Sequence, residues 1–237
     1  MTYVKNFIKF IIINTFLKKY ITEILNFLLI PKNVLRYNNY IKIDYKLSKK
    51  INFGSKKANN FFINKIKNSR KYFEYGAGSS TLLAEKLLKI YLSVESDYHF
   101  GKFLKKKYKL KISIKNFGPV SFYSWPIFAS LRKYNLIKKV NKYTSSINEF
   151  SKKNGFPDLI LIDGRCRVLC ALMIHRCLLK FKKKKFTIII DDFKNRKHYS
   201  EIKSFFFVNL IGRFGVINKI KKINTSKLIN KYKYDFR

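Results

Sequence analysis

The sequence predicts an α/β domain: a doubly wound, mostly parallel seven-stranded sheet with helices on both faces, plus an N-terminal helical extension. Three observations predict it. From residue 70 onward, apolar runs of strand length alternate with helix-length amphipathic segments. A Gly76-Ala77-Gly78 turn directly follows the first of those runs. The 237 residues suffice for one well-buried domain of this kind and are too few for two.

Taken in order, residues 1–69 form the extension, with the apolar but interrupted "MTYVKNFIKFIIINTFLKKYITEILNFLLIPKN" at its start. Lys9, Lys18, Lys19 and Glu23 break that run, whereas a spanning helix needs about 20 mostly apolar residues. No small-residue cleavage site follows the first apolar block, which argues against a signal peptide. A helix pair packed on the domain is the plain reading. Peripheral membrane contact through residues 1–30, with apolar faces flanked by Lys, is the functional alternative to it.

The strands are expected at 71–76, 90–96, 110–117, 158–164 and 186–192, with helices at 79–89, 97–107, 166–181 and 197–207. Residues 209–222 read as two short strands joined near Gly212 to Gly215, an antiparallel edge. Residues 118–150 interrupt the rhythm as an insertion, the size of a lid or substrate wall within the 70–222 domain. Trp125 there is a candidate stacking surface. Residues 223–237 are a basic tail.

The formal charge of +39 invites a nucleic-acid partner. The excess is spread along the chain, however, and Lys is over-used together with Asn, Ile, Phe and Tyr, as an A/T-rich coding sequence produces. Basic runs such as "KFLKKKYKLK" (102–111) carry no glycine-aromatic RNA-binding signature, so they read as a solvated face. Cys166, Cys170 and Cys177, an odd set without zinc-type spacing, share one helical face. They read as buried thiols in a reducing, cytoplasmic setting.

The turn Gly76 to Thr81 sits between a strand and a helix, the place where a backbone can approach a ligand closely. Glu95 follows Gly76 by 19 residues, at the end of the second strand, where an acid can accept both hydroxyls of a ribose. A pyrophosphate-binding turn would carry a third glycine where this chain has Thr81. Glu74 just before the loop would repel a pyrophosphate and suits a cationic ligand.

On these residues the chain resembles the class I S-adenosylmethionine-dependent methyltransferases, whose first motif is an acid, one residue, then Gly-x-Gly. The stretch "EYGAGSSTL" (74–82), with "IDGRCRVLCAL" (162–172), "DDF" (191–193) and "RKHY" (196–199), is most similar to a bacterial branch of that family. The resemblance spans about residues 70–220 and implies a Rossmann-like fold with S-adenosylmethionine as cofactor. It implies that Glu74, Gly76, Ala77, Gly78, Ser79 and Ser80 line the methionine and sulfonium end, with Asp163 near them. Glu95 would hold the ribose and Asn116 would border the adenine.

Asp163, Asp191 and Asp192 fall at strand ends, where open parallel sheets bind ligands. They are similar to the metal site of catechol-type O-methyltransferases, which implies magnesium held by Asp163, Asp191 and Asp192. The other readings are a metal-free general base at Asp163 or Asp192, or ion pairs of Asp163 with Arg165 or Arg167 and of Asp192 with Arg196. His175 and His198 read as structural histidines. The expected activity is methyl transfer to an oxygen of a small molecule or glycan. An RNA-modifying methyltransferase and a non-catalytic binding protein on the same fold are the alternatives.

Overall fold

All seven expected strands form one sheet, built around β1 (Lys71–Tyr75), which pairs in parallel with β2 (Ile90–Glu95) and with β4 (Leu159–Ile162). β3 (Ile112–Ile114) extends the β2 side and β5 (Thr187–Ile190) the β4 side, both parallel. β7 (Phe214–Ile220) runs antiparallel between β5 and β6 (Phe206–Ile211). The strand order is therefore β3-β2-β1-β4-β5-β7-β6. These relations come from a computed structural model, which describes residue 35 and residues 45–237 except 122, 123, 128, 130, 131, 184 and 195. Residues 1–30, where membrane contact is expected, lie outside the described residues. Among the described residues no helix is long and apolar enough to cross a membrane.

The strand sequences explain the layering. β4 and β5 read Leu-Ile-Leu-Ile and Thr-Ile-Ile-Ile and are buried throughout, as parallel strands covered on both faces must be. Alternate residues serve opposite faces. Phe73, Tyr75, Ile160, Ile162, Ile188 and Ile190 join one core, and Tyr72, Leu159, Leu161 and Ile189 join another.

The first core is closed by α4 (Lys133–Thr144), α5 (Ser146–Asn154) and α6 (Arg167–Phe181), with the 3-10 helix Lys197–Ser204 and α7 (Ser226–Tyr232) outside α6. α6 is enclosed on nearly every side, so Cys170, Cys177 and His175 are all buried. His175 shares a hydrogen bond of 2.8 Å with the Lys221 carbonyl through Nε2 and sits edge-on to Phe205 and Phe206. Burial keeps its pKa below the ordinary histidine value. Cys166, Cys170 and Cys177 are free and buried, as expected. The second core is covered by α1 (Lys56–Lys67) and α2 (Ser79–Leu87). α3 (Tyr98–Tyr108) covers β3, capped at its start by Asp97, whose carboxylate accepts the His99 and Phe100 N–H groups.

Several expectations change. α1 falls inside the stretch expected to be an extension, yet Ala58, Phe62 and Ile66 are fully buried against the sheet. Ser55 caps α1 by accepting the Ala58 N–H at 3.2 Å, so the element is defined locally as well as by packing. The 118–150 insertion forms α4 and α5, whose Val140, Tyr143, Ile147 and Phe150 fill the first core. Among the described residues of this stretch, Ser124 and Trp125 line the cleft described below. The tail also docks: Tyr232 is buried, and the Phe236 and Arg237 carbonyls accept the Cys166 and Arg167 N–H groups at 3.4 and 2.9 Å. The expected helix at 197–207 is the shorter 3-10 helix, because β6 begins at Phe206. The expected strand at 110–117 shrinks to three residues, since Asn116 turns the chain by accepting the Gly118 N–H at 2.7 Å.

If α1 belongs to the cooperative unit, Phe62→Ala should lower the unfolding free energy in urea by about 3–5 kcal/mol. A loss below about 1 kcal/mol would place α1 outside that unit.

Candidate functional site

The sheet reverses its winding between β1 and β4, and the loops that leave those two strands part there to open a crevice. The reversal is tight. Gly76 has φ +89°, and a Cβ on it would stand 2.8 Å from Gly164 Cα, so the two loops touch through bare backbone. Hydrogen bonds from Gly76 N–H to the Val94 carbonyl (2.8 Å) and from Asp163 N–H to the Tyr75 carbonyl (2.9 Å) hold both loops to the strand ends. Above them lies a cleft of about 820 Å³, within the range of about 300–1,000 Å³ usual for ligand sites.

The first loop is organised from below. Glu74 is fully buried. Its carboxylate accepts hydrogen bonds from the hydroxyls of Tyr72 and Ser80, each at 2.6 Å, and from those of Thr81 and Ser93. Thr81 Oγ1 in turn accepts the Gly78 N–H at 2.9 Å. Burial raises the Glu74 carboxyl above its ordinary value while the four hydroxyls pull it back. Glu74 therefore anchors the loop from beneath. It is not among the described residues lining the cleft. Gly76, Ala77, Gly78, Ser79 and Ser80 do line it. Gly78 has no atom within 4 Å of the position a Cβ would take, so its open side is available to a ligand.

Glu95 ends β2 on the cleft wall, 4% exposed. Its carboxylate accepts the N–H groups of Ala77 (3.0 Å), Ser96 (2.7 Å) and Asp97 (2.8 Å), which fix its direction. Burial raises its pKa to about 7 against those three bonds. Asn116 is not among the described lining residues, its amide oxygen being turned to Gly118. Ser96 and Phe100 border this end instead.

Asp163, Asp191 and Asp192 do converge, but on arginines. Asp191 is 1% exposed and takes both branches of Arg213, Nε at 2.6 Å and the NH2 group as well. Asp192 pairs with Arg196 at 3.0 Å, Arg213 at 3.5 Å and Arg167 at 3.8 Å. Its φ of +57° is one that Asp tolerates. Arg167 also donates to Asp163 Oδ1 at 3.0 Å and to the Gly164 and Asp191 carbonyls at 3.0 and 2.5 Å. Among the described residues no group of three His, Cys, Asp or Glu side chains is arranged to hold a metal ion. The magnesium site expected at Asp163, Asp191 and Asp192 is thus corrected: a divalent cation there would face three guanidinium groups and compete with them for every carboxylate. Asp163 is the most open of the three, its side chain 36% exposed. Its carboxyl is raised above the usual range, first by burial, with Arg167 opposing and Asp191 and Asp192 adding; water in the cleft mouth moderates the shift.

Trp125 reaches the cleft on a short reversal closed by Ser121 N–H to the Trp125 carbonyl at 2.7 Å and by Ile127 N–H to the Pro119 carbonyl at 3.2 Å. Arg132 clamps that reversal by donating to the carbonyls of Phe117 (2.9 Å), Pro119 (3.2 Å) and Ile127 (3.1 Å). Sequence reasoning missed Arg213, which comes from the β6–β7 turn, and Asn52 and Phe53, which precede α1, although all three line the cleft. No sequence signal marks them, because only the tertiary fold brings them to the strand ends.

The two loop glycines predict opposite outcomes. Gly76→Ala should destabilise the protein by about 1–3 kcal/mol, through positive φ and backbone overlap. Gly78→Val should leave the melting temperature within about 2 °C of the parent while obstructing any ligand laid across the loop. Melting curves and ligand titrations on both variants check this, and equal destabilisation by both would show that Gly78 does not face open space.

No protein-family model matches the chain, and no curated protein matches it. Among solved structures, a methyltransferase-like protein from Silicibacter pomeroyi DSS-3 is similar, with a TM-score of 0.62 and 20% sequence identity over 79% of this chain and 100% of that one. At that identity the likeness establishes architecture: the chain shares a Rossmann-type α/β fold with that protein.

Proposed function

We propose that the protein is an S-adenosylmethionine-dependent methyltransferase that methylates an oxygen of a small molecule or glycan. The observation that carries the reading is Glu95, held by three backbone N–H groups at the end of β2, directly beside the Gly76–Ser80 loop whose Ala77 supplies one of them. A carboxylate fixed there is an acceptor for the paired hydroxyls of a ribose. The open side of Gly78 fits a ligand backbone drawn past the loop. The anchoring of Glu74 beneath the loop leaves no room in this reading for direct contact with the cofactor.

S-adenosylmethionine supplies a methyl group already activated by its sulfonium, so positioning is the main demand on the protein. Asp163 faces the open cleft with a raised pKa, which suits a carboxylate that takes the proton of an acceptor hydroxyl as the oxygen attacks. Arg167 orients Asp163 and opposes the burial that raises its pKa. Asp192, bound to Arg196 and less open, is the second candidate for this role. Trp125 and Phe53 wall the cleft against bulk water.

Calorimetric titration with S-adenosylhomocysteine, with NAD and a nucleotide sugar as controls, tests the cofactor. Selective micromolar binding is expected, and equal or absent binding of all three overturns the reading. Glu95→Ala should weaken S-adenosylhomocysteine by about 1.5–3 kcal/mol. Ribose hydroxyls donate to the ionised Glu95, so binding lowers its pKa from about 7 and releases a proton. Affinity should therefore rise from about pH 6 to about pH 8 and then level off; a flat profile would remove Glu95 from the ribose contact. Turnover, once an acceptor is found, should persist in a strong chelator, because the acids are held by arginines.

A further inference from the structure

The 3-10 helix Lys197–Ser204 runs for eight residues, whereas such helices seldom exceed about four. Its winding decides where its side chains point. With about three residues per turn, positions three and six apart stand in one row, where an α-helix would fan them around its axis. Tyr199, Ile202 and the cap residue Phe205 make one row, which is buried in the first core. A second row holds Glu201, which reaches α7 by accepting Lys231 Nζ at 2.8 Å and the Tyr232 hydroxyl at 3.1 Å. Lys197, Ser200 and Lys203 make the third row, and all three are exposed.

That third row borders a depression of about 140 Å³ beside the cleft. The volume is that of four or five waters at about 30 Å³ each, too small for a whole cofactor and sufficient for one compact ionic group. Phe193 and Leu210 supply its apolar part. Phe193 lies hard against Gly215 of β7, where a Cβ would stand 2.6 Å from the ring, so this side does not give way. The Lys194 N–H donates to the Arg213 carbonyl at 3.2 Å and fixes the turn after β5. Lys221 Nζ donates to the Lys203 carbonyl at 2.7 Å and fixes the end of the 3-10 helix.

The described residues lining the depression include Lys194, Arg196, Lys197 and Lys203 and no acid. Arg196 is matched by Asp192 at 3.0 Å, and Glu201 by Lys231, so both stand outside the balance. The ammonium groups of Lys194, Lys197 and Lys203 have no hydrogen-bond or ion-pair partner among the described residues. Over-use of Lys places lysines all over this chain; the 3-10 winding is what aligns two of them with a hydroxyl along one concave wall.

We propose that this depression binds a phosphate group, held by the ammonium groups of Lys194, Lys197 and Lys203 and by the Ser200 hydroxyl. Lysine meets phosphate as a point charge from any direction, so several can serve different oxygens of a tetrahedral ion, whereas a planar carboxylate is better served by an arginine fork. The site does not rest on the methyltransferase reading. Arg196 lines both the depression and the cleft, so the phosphate comes either as the free ion or as one end of a monoester laid toward the cleft.

The test titrates the full chain with inorganic phosphate at a constant ionic strength of about 0.15 M, with chloride as the blank, to screen diffuse attraction to surface Lys. Affinity is read from the rise in melting temperature. Glucose 6-phosphate and neutral glucose are run in parallel. Phosphate should raise the melting temperature and glucose should not. Tighter binding of glucose 6-phosphate, by about tenfold, identifies a monoester as the source, and equal binding identifies the free ion. The double variant Lys197→Gln, Lys203→Gln should weaken phosphate by about tenfold or more. Lys105→Gln with Lys106→Gln, which removes the same charge from exposed positions on α3, should weaken it by less than about twofold. Ser200→Ala keeps every charge and should weaken phosphate by about two- to tenfold; it decides the matter if the first double variant is unstable. The absence of a phosphate-specific shift, or equal losses in the two double variants, overturns the proposal.

Discussion

A carboxylate that has left water must find a full set of donors, and Glu74 finds four hydroxyls within its own sheet face. Those hydroxyls come from β1, β2 and the first turn of α2, so one side chain joins three elements at the point where the chain turns. Thr81 relays the constraint to the Gly78 N–H, which fixes the loop that faces the cleft. Loss of one partner would leave an ionised or unsatisfied group in the core, which is why such networks act as all-or-none structural units. The shape of the cleft floor depends on this cluster more than on any residue exposed in the cleft itself.

The opposite wall is governed by ion pairing. Asp191 sits where burial alone would make a charge prohibitive, and Arg213 makes it tolerable by gripping both oxygens. Asp192 shares its oxygens among three guanidinium groups, and Asp163 is steered by Arg167. An acid trio that looks like a cation site in one dimension is, in three, the negative half of a salt-bridge lattice. That lattice leaves Asp163 as the most open of the three carboxylates.

The legibility of the sequence followed the range of the forces involved. Strand runs such as Leu-Ile-Leu-Ile, and the glycine turn after β1, are local patterns, and they located the sheet and the crevice. Glu95 was legible because its position depends only on where β2 stops. Glu74 was read as a group facing a ligand, yet strand alternation sends it beneath the loop into hydroxyls from residues up to 19 positions away. The acids were located together with two of their partners, Arg167 for Asp163 and Arg196 for Asp192, but not Arg213, which meets Asp191 from 22 positions away, through a turn between two strands that no motif marks. Asn116 shows the converse case, where a short polar side chain prefers its own backbone to the cleft. Residues just before α1 reach the site only because α1 packs under the sheet edge, a consequence of tertiary burial at Phe62 and Ile66.

The contact of Gly76 with Gly164 has a mechanical meaning. Two loops that meet through backbone, with no side chain between them to deform, move as one body at the scale of tenths of an ångström. The same seam holds Asp163, the residue before Gly164, whose N–H is bonded to the Tyr75 carbonyl at 2.9 Å. The two halves of the cleft are joined at a rigid seam of backbone.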